Sequence, residues 1–186
     1  MQPIILASQS PRRKQLLEWA NVPFEIIVKP TNENYPSNLA IDGIPIYIAK
    51  QKAEAISAEY SNRIIVAADT VVVIHNTIIG KPVDKEDAIK ILQTLSNNAH
   101  TVITGVCIKQ GNKEYTFIDK TQVHFYDLTP QQIEYYVGTY KPYDKAGAYG
   151  IQEWIGVTGV RSIEGDFYNV MGLPVSRVVK ALEHFS

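Results

Sequence analysis

Apolar and polar positions along the chain alternate between two periods, and the alternation divides it into strands and helices. Pro3 to Ala7 is a short continuous apolar run that predicts a buried strand. Leu16, Leu17 and Ala20 then recur at helical spacing, with Ser10 as N-cap and Pro11 at the first helical position. Asn21 stops that helix, and Phe24 to Val28 reads as a second strand. Pro30 to Leu39, rich in Asn, Pro and Ser, reads as a loop. A helix follows from about Ile46 to Tyr60, with Ile48, Ala49, Ala53 and Ile56 on one stripe. Arg63 to Ala68 is an apolar strand expected to end at Asp69, followed by a hairpin of Val71 to Ile74 and Thr77 to Ile79 across His75-Asn76. Asp84 caps a helix that runs through Ala88, Ile91 and Leu92 to about Leu95. Two long strands, about Ala99 to Lys109 and Glu114 to Phe125, are joined by Gln110-Gly111-Asn112. Thr129-Pro130 opens a helix to about Tyr136, and Pro174 opens the last, to about His184. Strands mixed with helices, plus a long hairpin, predict an α/β or α+β fold with a mixed sheet.

Composition narrows the function classes. The 186 residues suit one domain, 1–186, and 45% hydrophobic against 20% charged residues suits an ordinary globular core. The net charge of −1 argues against general nucleic-acid binding, so any anion site must be a local concentration of cations. Cys107, the single cysteine, excludes an internal disulfide and reads as a core residue. No signal peptide and no apolar run of membrane-spanning length is evident, which predicts a soluble cytoplasmic protein.

The candidate chemistry begins at Leu6-Ala-Ser-Gln-Ser-Pro-Arg-Arg13. Arg12 and Arg13 fall in the first helical turn, the wrong end for cations because the dipole there is positive. An anion at that spot explains them: free backbone N–H groups, the Ser8 and Ser10 hydroxyls and two guanidinium forks suit a polyphosphate. Solvated arginines on an ordinary capped helix are the alternative. Asp69, at the expected end of its strand, is the strongest candidate for a carboxylate that takes a proton from water or holds a divalent metal, although an acid capping the hairpin would look the same. Lys50 and Lys52 point in different directions from one helix, and Lys52, beside Ala53, is the one assigned to a site. Lys81 sits in Gly80-Lys81-Pro82, which is not a Walker A loop. Glu33 alone is an exposed loop acid. Small residues around Ala146-Gly147-Ala148 permit close backbone approach, and the Gln152 amide can both donate to and accept from a nucleobase edge. The four histidines have no metal-ligand spacing, and H-E-x-x-H, G-x-S-x-G and G-x-G-x-x-G are absent.

Taken in order, these stretches resemble the Maf family of nucleoside triphosphate pyrophosphatases. They are Leu6–Arg13, Glu33, Ala49-Lys-Gln-Lys-Ala53, Ala68-Asp-Thr-Val-Val72, Gly80-Lys-Pro82, Leu95-Ser96, His100-Thr-Val-Ile-Thr-Gly105, Tyr143–Gln152 and Gly172-Leu-Pro174. The resemblance implies a mixed twisted sheet with flanking helices, in two lobes around a central cleft, related to the inosine triphosphate pyrophosphatases. It implies hydrolysis of a nucleoside triphosphate to monophosphate and pyrophosphate with a divalent cation, Mg²⁺ or Mn²⁺. Arg12, Arg13, Lys52 and Lys81 would hold phosphates with Ser8. Glu33 and Asp69 would contact the metal, and Asp69 would activate water. Thr70 and Gln152 would read the base, and the Arg12, Thr70 and Gln152 set resembles the dTTP/UTP branch. A homodimer is also implied; nucleic-acid and membrane partners are not. Asn97 and Glu153 depart from the pattern, each standing where the family has glycine, and Lys141 stands where it has Glu. The rival reading is a nucleotide-binding regulator of cell division that acts through a protein partner.

Overall fold

A computed structural model describes residues 2–185. Seven strands share one mixed sheet in the order β2-β1-β3-β5-β6-β7, with β4 paired to β3 off that path. Strand β1 (Ile4–Leu6) runs parallel to β2 (Phe24–Ile26) and to β3 (Ile65–Ile74). Strands β4 (Thr77–Ile79), β5 (Ala99–Gln110), β6 (Lys113–Phe125) and β7 (Val160–Glu164) complete it. Both β4 on β3 and β7 on β6 pair antiparallel, the latter with an irregularity at His124/Phe125. The helices are α1 (Pro11–Trp19), α2 (Gly43–Ser57), α3 (Lys85–Leu95), α4 (Pro130–Tyr140), α5 (Trp154–Gly159), α6 (Phe167–Met171) and α7 (Val175–Leu182).

By internal contacts the chain divides into two compact units. The first is Met1–Thr70, Thr104–Asp119 and Gly172–Ser186; the second is Val71–Ile103 and Lys120–Met171.

In the first unit, Ile5, Ala7, Ala49, Ala53, Ile56, Ile65, Ala67 and Cys107 form a buried cluster that seats α2 on the strands. Alanine on the facing surfaces lets helix and sheet approach closely. Gly105 takes this further: a Cβ there would stand 2.3 Å from the Ile46 nitrogen, so only glycine lets β5 pass the start of α2. The packing fixes the rotation of α2 and thereby the direction of Lys52. Burial pushes the Cys107 thiol up to about 12, so it is an inert core residue, as its apolar surroundings in the sequence suggest.

In the second unit, Leu92, Leu95, Ile133, Tyr136 and Val137 are buried along α3 and α4. A capping box holds the start of α4: Thr129 and Gln132 exchange side-chain and backbone hydrogen bonds at 2.8 and 3.2 Å. His100 is stacked on Phe125 and hydrogen-bonded to Tyr149 at 2.7 Å.

Three expectations need correction. The strand expected to end at Asp69 instead continues to Ile74, so Asp69 lies inside a ten-residue strand. Its polar pair, Asp69-Thr70, interrupts the apolar pattern without ending the strand, and Val72 to Ile74 of the same strand form one arm of the hairpin with β4. The helix α2 begins at Gly43 rather than near Ile46, because Pro45 fits a first helical turn, where its missing N–H costs no bond. No period in the sequence marks α5, β7 and α6, since six- and five-residue stretches are too short to show one. Several turn residues behave as their chemistry suggests. Asn21, His75, Asn76 and Asn97 all adopt positive φ (55°, 47°, 61° and 54°), so Asn97 does occupy a left-handed position after α3.

Candidate functional site

Two polar constellations lie in the first unit, and both include a residue of β3. Ala7 donates its N–H to the Val66 carbonyl at 2.9 Å, which sets the end of β1 alongside the start of β3. Chain leaving β1 turns at Ser8 into α1. The Ser8 hydroxyl accepts the Ser10 N–H at 3.2 Å, and the Ser10 hydroxyl, as N-cap, accepts the Arg13 N–H at 3.5 Å. No acid stands in this first turn.

Arg13 organises the first constellation. Its guanidinium is buried and donates to three acceptors: Nε to the Gly172 carbonyl at 2.7 Å, Nη1 to the Ser8 hydroxyl at 3.1 Å and Nη2 to the Thr70 hydroxyl at 3.0 Å. Thr70 also meets the Thr104 hydroxyl at 2.9 Å. Burial lowers the pKa of Arg13, Arg12 lowers it further, and Asp69 and Glu33 oppose the shift. Gly172 adopts φ +114°, and a Cβ there would lie 3.6 Å from both Arg13 Nε and Thr70 Oγ1. Glycine is therefore suited to offering its carbonyl to the fork.

Lys52 organises the second. Its ammonium donates to Asp69 Oδ1 at 2.8 Å and pairs with Glu33 Oε1 at 2.9 Å. The Lys52 and Asp69 side chains are each 17% exposed, against 58% for Glu33. Lys50 points elsewhere, to Glu114 at 2.7 Å. The two lysines of α2 therefore point to different partners, Lys52 to Asp69 and Glu33 and Lys50 to Glu114.

The structure brings together Ser8, Arg13 and Thr70 in one constellation and Glu33, Lys52 and Asp69 in the other. Asp69 and Thr70 are consecutive on β3, and Arg12 precedes Arg13, half-buried in the first turn of α1. Arg12, Asp69 and Glu33 all act on the Arg13 charge. Lys81 and Gln152 belong to the second unit, and both are exposed. The turn carrying Lys81 is fixed by the Gly80 carbonyl, which accepts the Gly147 N–H at 3.1 Å. Gly147 needs its positive φ of 74° there, with Val72 only 3.1 Å from where a Cβ would stand. Glu153, next to Gln152, is held by Lys145 at 3.3 Å and by the Tyr136 hydroxyl. The same hydroxyl accepts the Gly150 N–H at 2.9 Å, so Glu153 braces the segment that leads to Gln152.

Nothing in the sequence singles out Thr104, while Gly165 to Pro174 reads equally as site lining or as a packed turn, and its Gly172 carbonyl meets the Arg13 fork. Thr104 and Gly172 both lie inside stretches that carried the family resemblance, His100–Gly105 and Gly172–Pro174, and that was the available signal.

The family model for Maf-like protein matches residues 3–185. The chain belongs to the Maf-like family. Maf-like relatives include the dTTP/UTP pyrophosphatase of Cytophaga hutchinsonii, 53% identical over 97% of this chain and 83% of that protein. Those of Parabacteroides distasonis and Bacillus anthracis are each 46% identical, over 98% and 100% of this chain and 95% and 97% of theirs. Among solved structures, the Staphylococcus aureus Ham1 protein aligns with 66% of this Maf-like chain and 71% of its own at 14% identity, with a TM-score of 0.45. Among the described residues, no helix is long and apolar enough to cross a membrane.

Proposed function

We propose that this protein is a nucleoside triphosphate pyrophosphatase that converts dTTP and UTP to the monophosphate and pyrophosphate, with a divalent cation as cofactor. The observation that carries this reading is the Lys52 ammonium gathering Asp69 and Glu33, with Arg12 and Arg13 acting on the same region. A polyphosphate site needs cations, and hydrolysis also needs a carboxylate near the scissile bond. The relatives' names supply the substrate.

The donor set fits Mg²⁺ or Mn²⁺. Asp69 and Glu33 offer hard carboxylate oxygens drawn to one point, and Mg²⁺ is commonly held by one or two carboxylates plus substrate phosphates. Charge neutralisation on the phosphates is the chemistry such a cation supplies. Asp69 accepts a proton from the water whose oxygen bonds to the α-phosphorus; the bond from that phosphorus to the bridging oxygen breaks, giving the monophosphate and pyrophosphate as leaving group. Lys52 orients the Asp69 carboxylate and offers its charge to the phosphates. Arg12 binds phosphate with the Ser10-Pro11 turn, and Lys81 adds a further cation by family resemblance. Arg13, whose fork is engaged by Ser8, Thr70 and Gly172, shapes the site and adds its positive charge to it. Positioning and charge account for most of the acceleration. Gln152 and Thr70 read the pyrimidine edge, and a site whose polar groups fit one base leaves them unpaired with another.

The test is incubation of the full chain with Mg²⁺ or Mn²⁺ and a panel of dTTP, UTP, CTP, 7-methyl-GTP, dITP and the common purine triphosphates, with products separated by chromatography. Monophosphate plus pyrophosphate from dTTP and UTP is the expected result. Diphosphate plus phosphate would move attack to the γ-phosphorus and overturn the role of Asp69. Binding without turnover would favour the regulatory reading.

A further inference from the structure

We infer that Lys52 is a cationic latch that makes divalent-metal binding conditional on the triphosphate, an inference that rests on the function proposed above. Its ammonium lies 2.8 Å from Asp69 Oδ1 and 2.9 Å from Glu33 Oε1, on carboxylates that would hold the metal. A divalent cation at those oxygens must displace the ammonium or sit against its charge. Lys52 and Asp69 are also mostly withdrawn from solvent, so water screens that repulsion poorly. Among the described residues, no group of three or more His, Cys, Asp or Glu side chains is placed to hold a metal ion. Two carboxylates cannot satisfy the octahedral demand of Mg²⁺, which leaves the remaining oxygens to phosphates and water.

The triphosphate removes both obstacles. Its oxygens complete the coordination, and its charge gives the Lys52 ammonium another anion. The free protein thus holds metal weakly, and metal enters with the nucleotide. Lys52 acts here as a positioning residue: its ammonium draws Asp69 and Glu33 to one point.

The experiment is Mn²⁺ titration of the nucleotide-free full chain, with unbound Mn²⁺ read by electron paramagnetic resonance. Lys52→Met is expected to tighten Mn²⁺ binding by about tenfold or more. Lys52→Arg keeps the cation and should stay within about threefold of the unaltered chain. Lys14→Met, the same charge change at the exposed Lys14–Glu18 pair, should leave the Mn²⁺ affinity unchanged. Adding Asp69→Asn to Lys52→Met should abolish the gain. Lys52→Gln replaces the methionine variant if thermal unfolding shows that Lys52→Met does not fold. Mn²⁺ binding no tighter in the Lys52 variant, or tightened equally by Lys14→Met, overturns the latch. A chain that yields pyrophosphate from UTP but fails this titration loses only the latch. A chain that passes the titration but gives no hydrolysis loses the function proposed for it.

Discussion

Replacing Arg13 by methionine tests whether this side chain belongs to the architecture of the fold. Its fork makes three hydrogen bonds from a charged donor, at 2.7, 3.1 and 3.0 Å, all from a buried position. Bonds of this kind contribute about 1.5–3 kcal/mol each, so the gross loss is roughly 4–9 kcal/mol. Two effects reduce it. Burying a guanidinium is costly, which is the reason its pKa is lowered, and methionine avoids that cost. The abandoned acceptors also keep other partners: Ser8 the Ser10 N–H, Thr70 the Thr104 hydroxyl, and Gly172 a long contact from Thr70 at 3.4 Å. A net destabilisation of about 3 kcal/mol remains, which for a chain of this length lowers Tm by roughly 6–12 °C. Arg13→Lys should lose at least half as much, since a single ammonium cannot reach acceptors arranged for a planar fork. The assay is thermal unfolding of nucleotide-free protein by circular dichroism, with limited proteolysis of the segment after Gly172 as a local readout. A change in Tm of less than about 2 °C for Arg13→Met would refute the reasoning and leave the side chain available to a phosphate instead.

Other outcomes follow from the same geometry. Asp69→Asn should lower turnover of UTP at least about 100-fold while the protein remains folded, as measured by pyrophosphate release and by Tm; near-normal turnover would remove Asp69 as the base. Gln152→Ala should change the ratio of UTP to GTP hydrolysis about three- to tenfold, and an unchanged ratio would show that Gln152 does not read the base. His100 is buried against Phe125 and Tyr149, and burial lowers its pKa to about 4 from 6.5. The unfolded chain therefore takes up a proton first as pH falls, so stability is full above about 6.5 and is lost as pH drops from 6.5 toward 4. The size of the loss is roughly 3 kcal/mol, and His100→Phe should flatten that part of a plot of urea midpoint against pH.

The parts of the fold that could be read in advance were those with long, unbroken periods or strong punctuation. Helices α1, α3 and α4 each begin at a Ser, Asp or Thr that caps them, and each start falls where the sequence places it. The long hairpin of β5 and β6 shows its turn at Gly111, which adopts φ +56°. The segment from Trp154 to Met171 was opaque because its helices and strand are each six residues or fewer. The strand through Asp69 was misjudged for a different reason. A polar pair inside an apolar run looks like a boundary, yet Asp69 and Thr70 keep strand geometry because Lys52, Arg13 and Thr104 satisfy their side chains. Nothing in local sequence announces partners that lie 17, 57 and 34 residues away. The same holds for the Gly172 carbonyl, 159 residues from the arginine that donates to it.

The paired arginines of α1 take different surroundings in the fold. Two cations in the first turn of a helix oppose the dipole, and an anion was the explanation the sequence offered for both. Neighbouring residues on a helix point about 100° apart, so one partner need not serve both. Arg13 turns inward, where a serine hydroxyl, a threonine hydroxyl and a backbone carbonyl meet its fork. Those neutral acceptors offset part of the cost of its place at the positive end of the helix. Arg12 stands half-buried beside it, and the phosphate role proposed above is kept for it. The two constellations are joined in the chain at Asp69-Thr70, where one residue answers to Lys52 and the next to Arg13. A shift in the Arg13 fork therefore displaces Thr70 directly and Asp69 through the backbone they share. On this geometry, Arg13 variants that fold should alter nucleotide discrimination through Thr70 and turnover through Asp69 together, whereas loss of a simple phosphate contact would weaken all nucleotides alike.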